Sequence, residues 1–267
     1  EYRICRDCRK PYRYFQSYVH IHKNAGQTMT NILEKEICPE FTDKQERREK
    51  CVAYYTNSAQ NIAVRKGEFR LHHSEREVDD VQGFNVLKEV LIRGPLERTI
   101  SSYEYDVWHS KFVPEPLDKA SEDPITFQKK YGSIQVFHVS TKEECKEALK
   151  GSQGSINPKF VYHVADSLRL FHVIGLVEHF RLSVCLWAHT FMPQDVQERH
   201  CSSIPLDQRG GAHNAKSGSK EPYKWGTYVK LAHYGAPDEY MYRIGRFEFA
   251  LRLASVGEKT DLWDAEE

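Results

Sequence analysis

Residues 18–37 read YVHIHKNAGQTMTNILEKEI: an apolar run, then a turn of Lys-Asn-Ala-Gly-Gln-Thr, then an amphipathic stretch. Residues 17–22 have the composition of a short strand, and Met29, Ile32, Leu33 and Ile37 recur at helical spacing. The turn therefore stands at a strand-to-helix junction, with Thr28 expected as the helix cap. The first N–H groups of a helix lack internal partners and carry the positive end of its dipole. Small residues let an anion approach them closely, and Lys23 adds a full charge, so the turn suits a phosphate-like group. The structural alternative is a plain tight turn at Ala25-Gly26 with Lys23 in solvent.

The same unit recurs along the chain. FNVLKEVLIRG (84–94) reads as a strand, Pro95 stands where a first helical residue belongs, and Leu96, Ile100, Tyr103 and Val107 follow at helical spacing. LFHVIGLVEHFRLSVCLWAHTF (170–191) passes from a strand at 170–174 through Gly175 into a helix with Phe180, Val184 and Trp187 inward. FRLHHSERE (69–77) ends another strand, and the charged run 40–50 is a solvated helix face or loop. Met241, Ile244, Phe247 and Leu251 mark a closing helix that ends near Gly257. Alternating strands and helices predict an α/β fold whose central, mainly parallel sheet is flanked by helices, because parallel neighbours need crossover connections. Ligands in such sheets bind at the carboxyl ends of the strands. One domain is expected over 1–267, with 1–16 an N-terminal extension and the proline-bearing stretch 109–160 an insertion; 209–222 is a polar glycine- and serine-rich loop.

Composition narrows the function classes. Lys+Arg and Asp+Glu both total 38, which gives no support to a generic nucleic-acid or anionic-membrane binder, so any anion site is local. Seven cysteines cannot all pair within one chain; Cys5 and Cys8 form a lone C-x-x-C that fits a terminal disulfide or thiols better than a metal site. No run approaches the roughly 18 apolar residues needed to cross a bilayer, and mean hydropathy is −0.66. Membrane contact by this segment is not expected. The sequence starts at Glu1, which suggests an excised or processed form whose missing N-terminus could have held an anchor or targeting signal.

The first turn fits an ATP loop poorly: a Walker A motif places lysine immediately before the magnesium-ligating hydroxyl, whereas here the lysine comes first and Gln27 precedes Thr28. The second turn, LIRGPLERTISSYEY, offers Arg93 at the strand end and Ser101 eight positions later, a charged fork and a hydroxyl that can reach one phosphate group. The alternative is a structural ion pair of Arg93 with Glu97 or Glu104. The two turns together resemble the sulfotransferases that use 3′-phosphoadenosine 5′-phosphosulfate (PAPS), in particular the Golgi carbohydrate group of heparan sulfate and uronyl 2-O-sulfotransferases. In that family a turn of the type P-K-[TS]-A/G-[SG]-[ST] holds the 5′-phosphosulfate and a later R-[DN]-P-x-x-R-x-x-S holds the 3′-phosphate. His22 replaces the usual proline and Gly94 the usual acid or amide, and the likeness extends over about residues 17–255.

The resemblance implies a P-loop-like three-layer sulfotransferase fold, PAPS as donor and 3′,5′-adenosine bisphosphate (PAP) as product, with no metal required. It implies Lys23 and the N–H groups of Asn24, Ala25, Gly26, Gln27 and Thr28 around the 5′ end, and Arg93 and Ser101 around the 3′-phosphate. The loop bearing His213, Asn214 and Lys216 would close over the nucleotide. In the 2-O-sulfotransferase branch a His-Gly-His segment about twenty residues before the arginine turn supplies the general base; here His72 and His73 stand at that distance, with His72 favoured and Glu75 or Glu77 as alternatives. The expected acceptor is a carbohydrate hydroxyl, with a lipid, polyketide or other small alcohol as the alternative, and the 109–160 insertion is expected to border the acceptor cleft. The compartment expected is the Golgi lumen if an anchor has been removed, and otherwise the cytoplasm. A silent nucleotide-binding module and a small-molecule kinase are the readings from other classes.

Overall fold

The computed structural model describes residues 14–21, 24–54, 71–74, 85–109, 116–123, 134–139, 158–202 and 223–258. Five strands, β1 (Tyr14–Val19), β2 (Val52–Tyr54), β3 (Leu71–Ser74), β4 (Asn85–Ile92) and β5 (Val173–Leu176), form one sheet in the order β2-β3-β1-β4-β5. Every neighbouring pair is parallel. The expected α/β class with a parallel sheet is thus what the chain adopts. From β1 the chain goes out to β2 and returns through β3; from β4 it continues to β5 on the other side. Adjacent strands whose connections leave in opposite directions open a crevice at their carboxyl ends. The turns after β1 and β4 both lie at that crevice.

The helices are α1 (Gly26–Ile37), α2 (Lys44–Lys50), α3 (Pro95–His109), α4 (Leu117–Ala120), α5 (Ile134–Val139), α6 (Pro158–Arg169), α7 (Phe180–Phe191), α8 (Gln194–Cys201), α9 (Trp225–Tyr234) and α10 (Ala236–Ser255). Gly175 and Gly245 show how two of them meet the sheet. A Cβ on Gly245 of α10 would fall 2.2 Å from Ile92 Cδ1 and 3.7 Å from Ile174 Cγ2. One residue along β5, a Cβ on Gly175 would fall 2.4 Å from Leu91 Cδ2 and 2.7 Å from Ser183 Cβ on α7. Successive strand residues face opposite sides, so α10 and α7 cover opposite faces of the sheet. Trp187 of α7 is fully buried there, and its Nε1–H donates to Gln16 Oε1 of β1 at 3.2 Å.

One sequence expectation changes. Gly175 is a strand residue, not the turn after one; a glycine stands there because α7 packs close, and the strand runs on to Leu176. In α10 the inward line is Met241, Gly245, Phe249 and Leu253. Phe247 and Leu251, which mark this helix in the sequence, are 51% and 46% exposed, because contact at the small Gly245 rotates the helix toward that side.

Two disulfides crosslink the described residues. Cys38–Cys51 joins the end of α1 to the start of β2 across α2, and Cys185–Cys201 ties α7 to α8. The bridged residues are 13 and 16 apart, loops for which a crosslink contributes about 3 kcal/mol. The run 44–50 is the solvated helix expected: Asp43 Oδ1 accepts the Glu46 N–H at 2.9 Å, and Lys50 pairs with Glu46 at 2.9 Å. Inside the sheet, Glu89 of β4 is buried beside Tyr18 of β1, and burial pushes its carboxyl well above the usual carboxylate range.

Candidate functional site

After β1 the chain makes its turn on its own backbone: the Asn24 N–H donates to Ile21 O at 3.1 Å. Ala25 adopts φ 54° and ψ 22°, the left-handed region, and serves as the N-cap of α1 without a side-chain bond. The cap expected at Thr28 therefore falls three residues earlier. Thr28 lies in the first helical turn, where its N–H and that of Met29 both donate to Ala25 O at 3.1 Å. Of the five N–H groups expected around an anion, those of Asn24 and Thr28 are engaged inside the turn. Those of Ala25, Gly26 and Gln27 have no acceptor among the described residues. Gly26 is required sterically: a Cβ there would fall 1.9 Å from His20 Nε2.

The second turn follows β4 and opens α3 at Pro95, as its sequence predicts. Gly94 N–H donates to Glu178 Oε1 at 2.8 Å, and Glu178 Oε2 accepts from Tyr242 OH at 3.1 Å. Burial and the Glu178 carboxylate push the Tyr242 phenol far above its ordinary value, so it stays a donor. A Cβ on Gly94 would fall 2.4 Å from Glu97 Oε2 and 3.4 Å from Glu178 Oε1. Those carboxylates fill the space that an acid or amide at position 94 would need. Arg93 and Ser101 are both partly exposed.

Asn24 and Gln135, both fully buried, join the two turns. Asn24 Nδ2 donates to Leu91 O at 2.9 Å and to Gln135 Oε1 at 2.6 Å. Gln135 Oε1 also accepts the Arg93 N–H at 2.9 Å, and Gln135 Nε2 donates to Arg93 O at 2.8 Å, pairing with that backbone much as a strand would. The Asn24 side chain therefore holds the turns together and faces inward. Gln135 is positioned in turn by Asp238 of α10, whose carboxylate accepts the Gln135 and Val136 N–H groups at 3.1 and 3.0 Å. Arg98 Nε lies 3.7 Å from Asp238 Oδ2, with both side chains fully buried. Burial pushes the Asp238 carboxyl up and the Arg98 guanidinium down, and each charge favours the ionised form of the other.

The remaining expected residues stand as follows. β3 lies beside β1, and register places His72 level with Ser17 and His73 level with Tyr18, inside the sheet rather than beyond its edge. Lys23, Glu75, Glu77, His213 and Lys216 lie outside the described residues. Sequence reasoning missed Gln135, Glu178, Asp238 and His20. Gln135 stands 111 positions from Asn24 inside the presumed insertion, where no local signal marks it. His20 had a signal, since it precedes the turn by a strand alternation. Cys185, His189, Cys201 and Glu258 carry ligand-type atoms within 4.8 Å of one another, but the two sulfurs are joined as a disulfide. No protein-family model and no curated protein matches the chain.

Proposed function

We propose that the chain is a PAPS-dependent O-sulfotransferase with the three-layer sulfotransferase fold. The observation that carries this is the buried Asn24–Gln135 bridge, which fixes two anion-type turns against each other at the carboxyl ends of neighbouring parallel strands. Two fixed, separated cationic corners suit a ligand with phosphate-type groups at both ends. The N–H groups of Ala25, Gly26 and Gln27, which have no acceptor among the described residues, would with Lys23 hold the 5′-phosphosulfate, and Arg93 and Ser101 the 3′-phosphate.

In the reaction the acceptor oxygen attacks sulfur, the bond from sulfur to the phosphate oxygen breaks in line, and PAP leaves. The acceptor proton passes to a base, His72 or His73, with Glu75 or Glu77 as the carboxylate alternative. As in phosphoryl transfer, the protein supplies position and electrostatics, and Lys23 would stabilise charge growing on the leaving phosphate. A metal ion is not needed in this scheme. A carbohydrate hydroxyl is the acceptor by family likeness. The two disulfides support an oxidising compartment such as the Golgi lumen over the cytoplasm. Among the described residues no helix is long and apolar enough to cross a membrane.

The test compares thermal stabilisation by PAP with that by ATP plus magnesium. PAP should stabilise, and Lys23→Ala or Arg93→Ala should remove both that shift and most sulfotransfer. Preference for magnesium-ATP would instead favour a kinase. Binding of PAP with no transfer to any glycan or small alcohol would favour a silent nucleotide-binding module.

A further inference from the structure

Resting on the reading that the first turn holds the 5′ end of the nucleotide, we propose that His20 is a positioning residue that holds this turn in its binding conformation. His20 follows the last residue of β1, and its ring stacks on Tyr18 with centroids 6.2 Å apart and planes at 22°. The edge of that ring occupies the place of a side chain at residue 26: a Cβ on Gly26 would fall 1.7 Å from His20 Cδ2 and 1.9 Å from Nε2. The imidazole therefore lies against the backbone where α1 begins, anchored from behind by Tyr18.

Immediately before Gly26 stands Ala25, the one non-glycine residue with positive φ among the described residues. A left-handed alanine persists only where its surroundings over-determine it. Asn24 constrains the turn from one side through Leu91 O and Gln135, and the His20 ring constrains it at Gly26. Between those two restraints sit the N–H groups of Ala25, Gly26 and Gln27, which have no acceptor among the described residues. Without the ring, Ala25 can relax out of the left-handed region and the three donors lose their common aim. Donor binding then weakens while the acceptor chemistry is untouched, so the KM for PAPS rises much more than kcat falls.

The experiment has two arms. Without ligand, chemical denaturation of Gly26→Ala, His20→Ala and the double variant should show that Gly26→Ala destabilises and that adding His20→Ala recovers part of the loss, because the clash is gone. Additive losses would overturn the pairing. With PAP, titration should give a dissociation constant about tenfold higher for His20→Ala, the order expected from releasing one left-handed residue. His20→Phe, which returns a flat ring to the same place, should recover most of that affinity. If His20→Ala does not fold, His20→Leu replaces it and is expected to bind weakly. Wild-type affinity in the ring-free variant would overturn the inference. Absence of PAP binding by the wild type would instead overturn the proposed function, and the ligand-free arm would still decide the role of His20.

Discussion

Asp238→Ala is the sharpest perturbation of the framework behind the site. The wild-type carboxylate pairs with a fully buried guanidinium at 3.7 Å and accepts two backbone N–H groups at 3.0 and 3.1 Å. Removing it takes the carboxylate away from the buried Arg98 guanidinium and strands two backbone donors in the interior. Breaking a buried pair from one side costs about 3–5 kcal/mol, most of it from the uncompensated charge. Arg98→Met should cost less, since the carboxylate left behind keeps its two N–H partners. The double variant Arg98→Met/Asp238→Leu removes both charges and should lose much less than the sum, with coupling of at least about 2 kcal/mol. Urea denaturation is the assay, read as a change in midpoint at constant m-value. Because Asp238 also places Gln135, Asp238→Ala should weaken PAP binding at temperatures where it remains folded. An unfolding free energy for Asp238→Ala within about 1 kcal/mol of wild type, or strictly additive singles, would refute the ion pair as the brace between α3, α5 and α10.

Gln135→Leu leaves the Arg93 N–H and an Asn24 donor unsatisfied; at about 1–3 kcal/mol for each buried orphan, it should lower the urea midpoint and raise the PAP dissociation constant together. A loss of stability with unchanged PAP affinity would separate Gln135 from the site. Glu89 makes a pH prediction: its carboxyl titrates well above the ordinary 4.5, so its unfavourable contribution is absent below the unfolded value and grows as pH rises toward the folded one. Glu89→Gln should therefore gain stability relative to wild type as pH goes from about 4.5 to 8, and denaturation midpoints that diverge in the opposite sense would count against it. Gly245→Val drives a branched side chain into Ile92 and should cost about 1–3 kcal/mol or more by overpacking, measured by thermal melting; a neutral substitution would mean that α10 does not press on β4.

The parallel sheet and its strand-end turns were legible because each is written locally: a run rich in Val, Leu and Ile, a small-residue or proline junction, then apolar residues at helical spacing. Pro95 at the start of α3 is the clearest example. The N-cap was misplaced at Thr28 because a left-handed alanine has no propensity signature, being imposed by tertiary contacts with Leu91, Gln135 and His20. The closing helix is legible from Met241, Ile244, Phe247 and Leu251, but its inward line is not, because the glycine between them sets the line of closest approach. Gln135, Asp238 and Glu178 were illegible because their partners are 42, 103 and 84 positions away, and one amide or carboxylate looks like any other until the fold brings it in. The proposed general base is tied to the His72-His73 segment by likeness alone.

The Gln135 bridge also bears on when this chain becomes competent during folding. Its partners come from the ends of β1 and β4, and its own support comes from the last long helix, so the two turns cannot be correctly spaced until α10 has docked. Contacts of such long sequence separation form late. Peptides bearing either motif, or nascent chains lacking the final helix, should therefore ignore the nucleotide altogether, and ligand capture would report completion of the whole sheet-and-helix assembly rather than local turn formation.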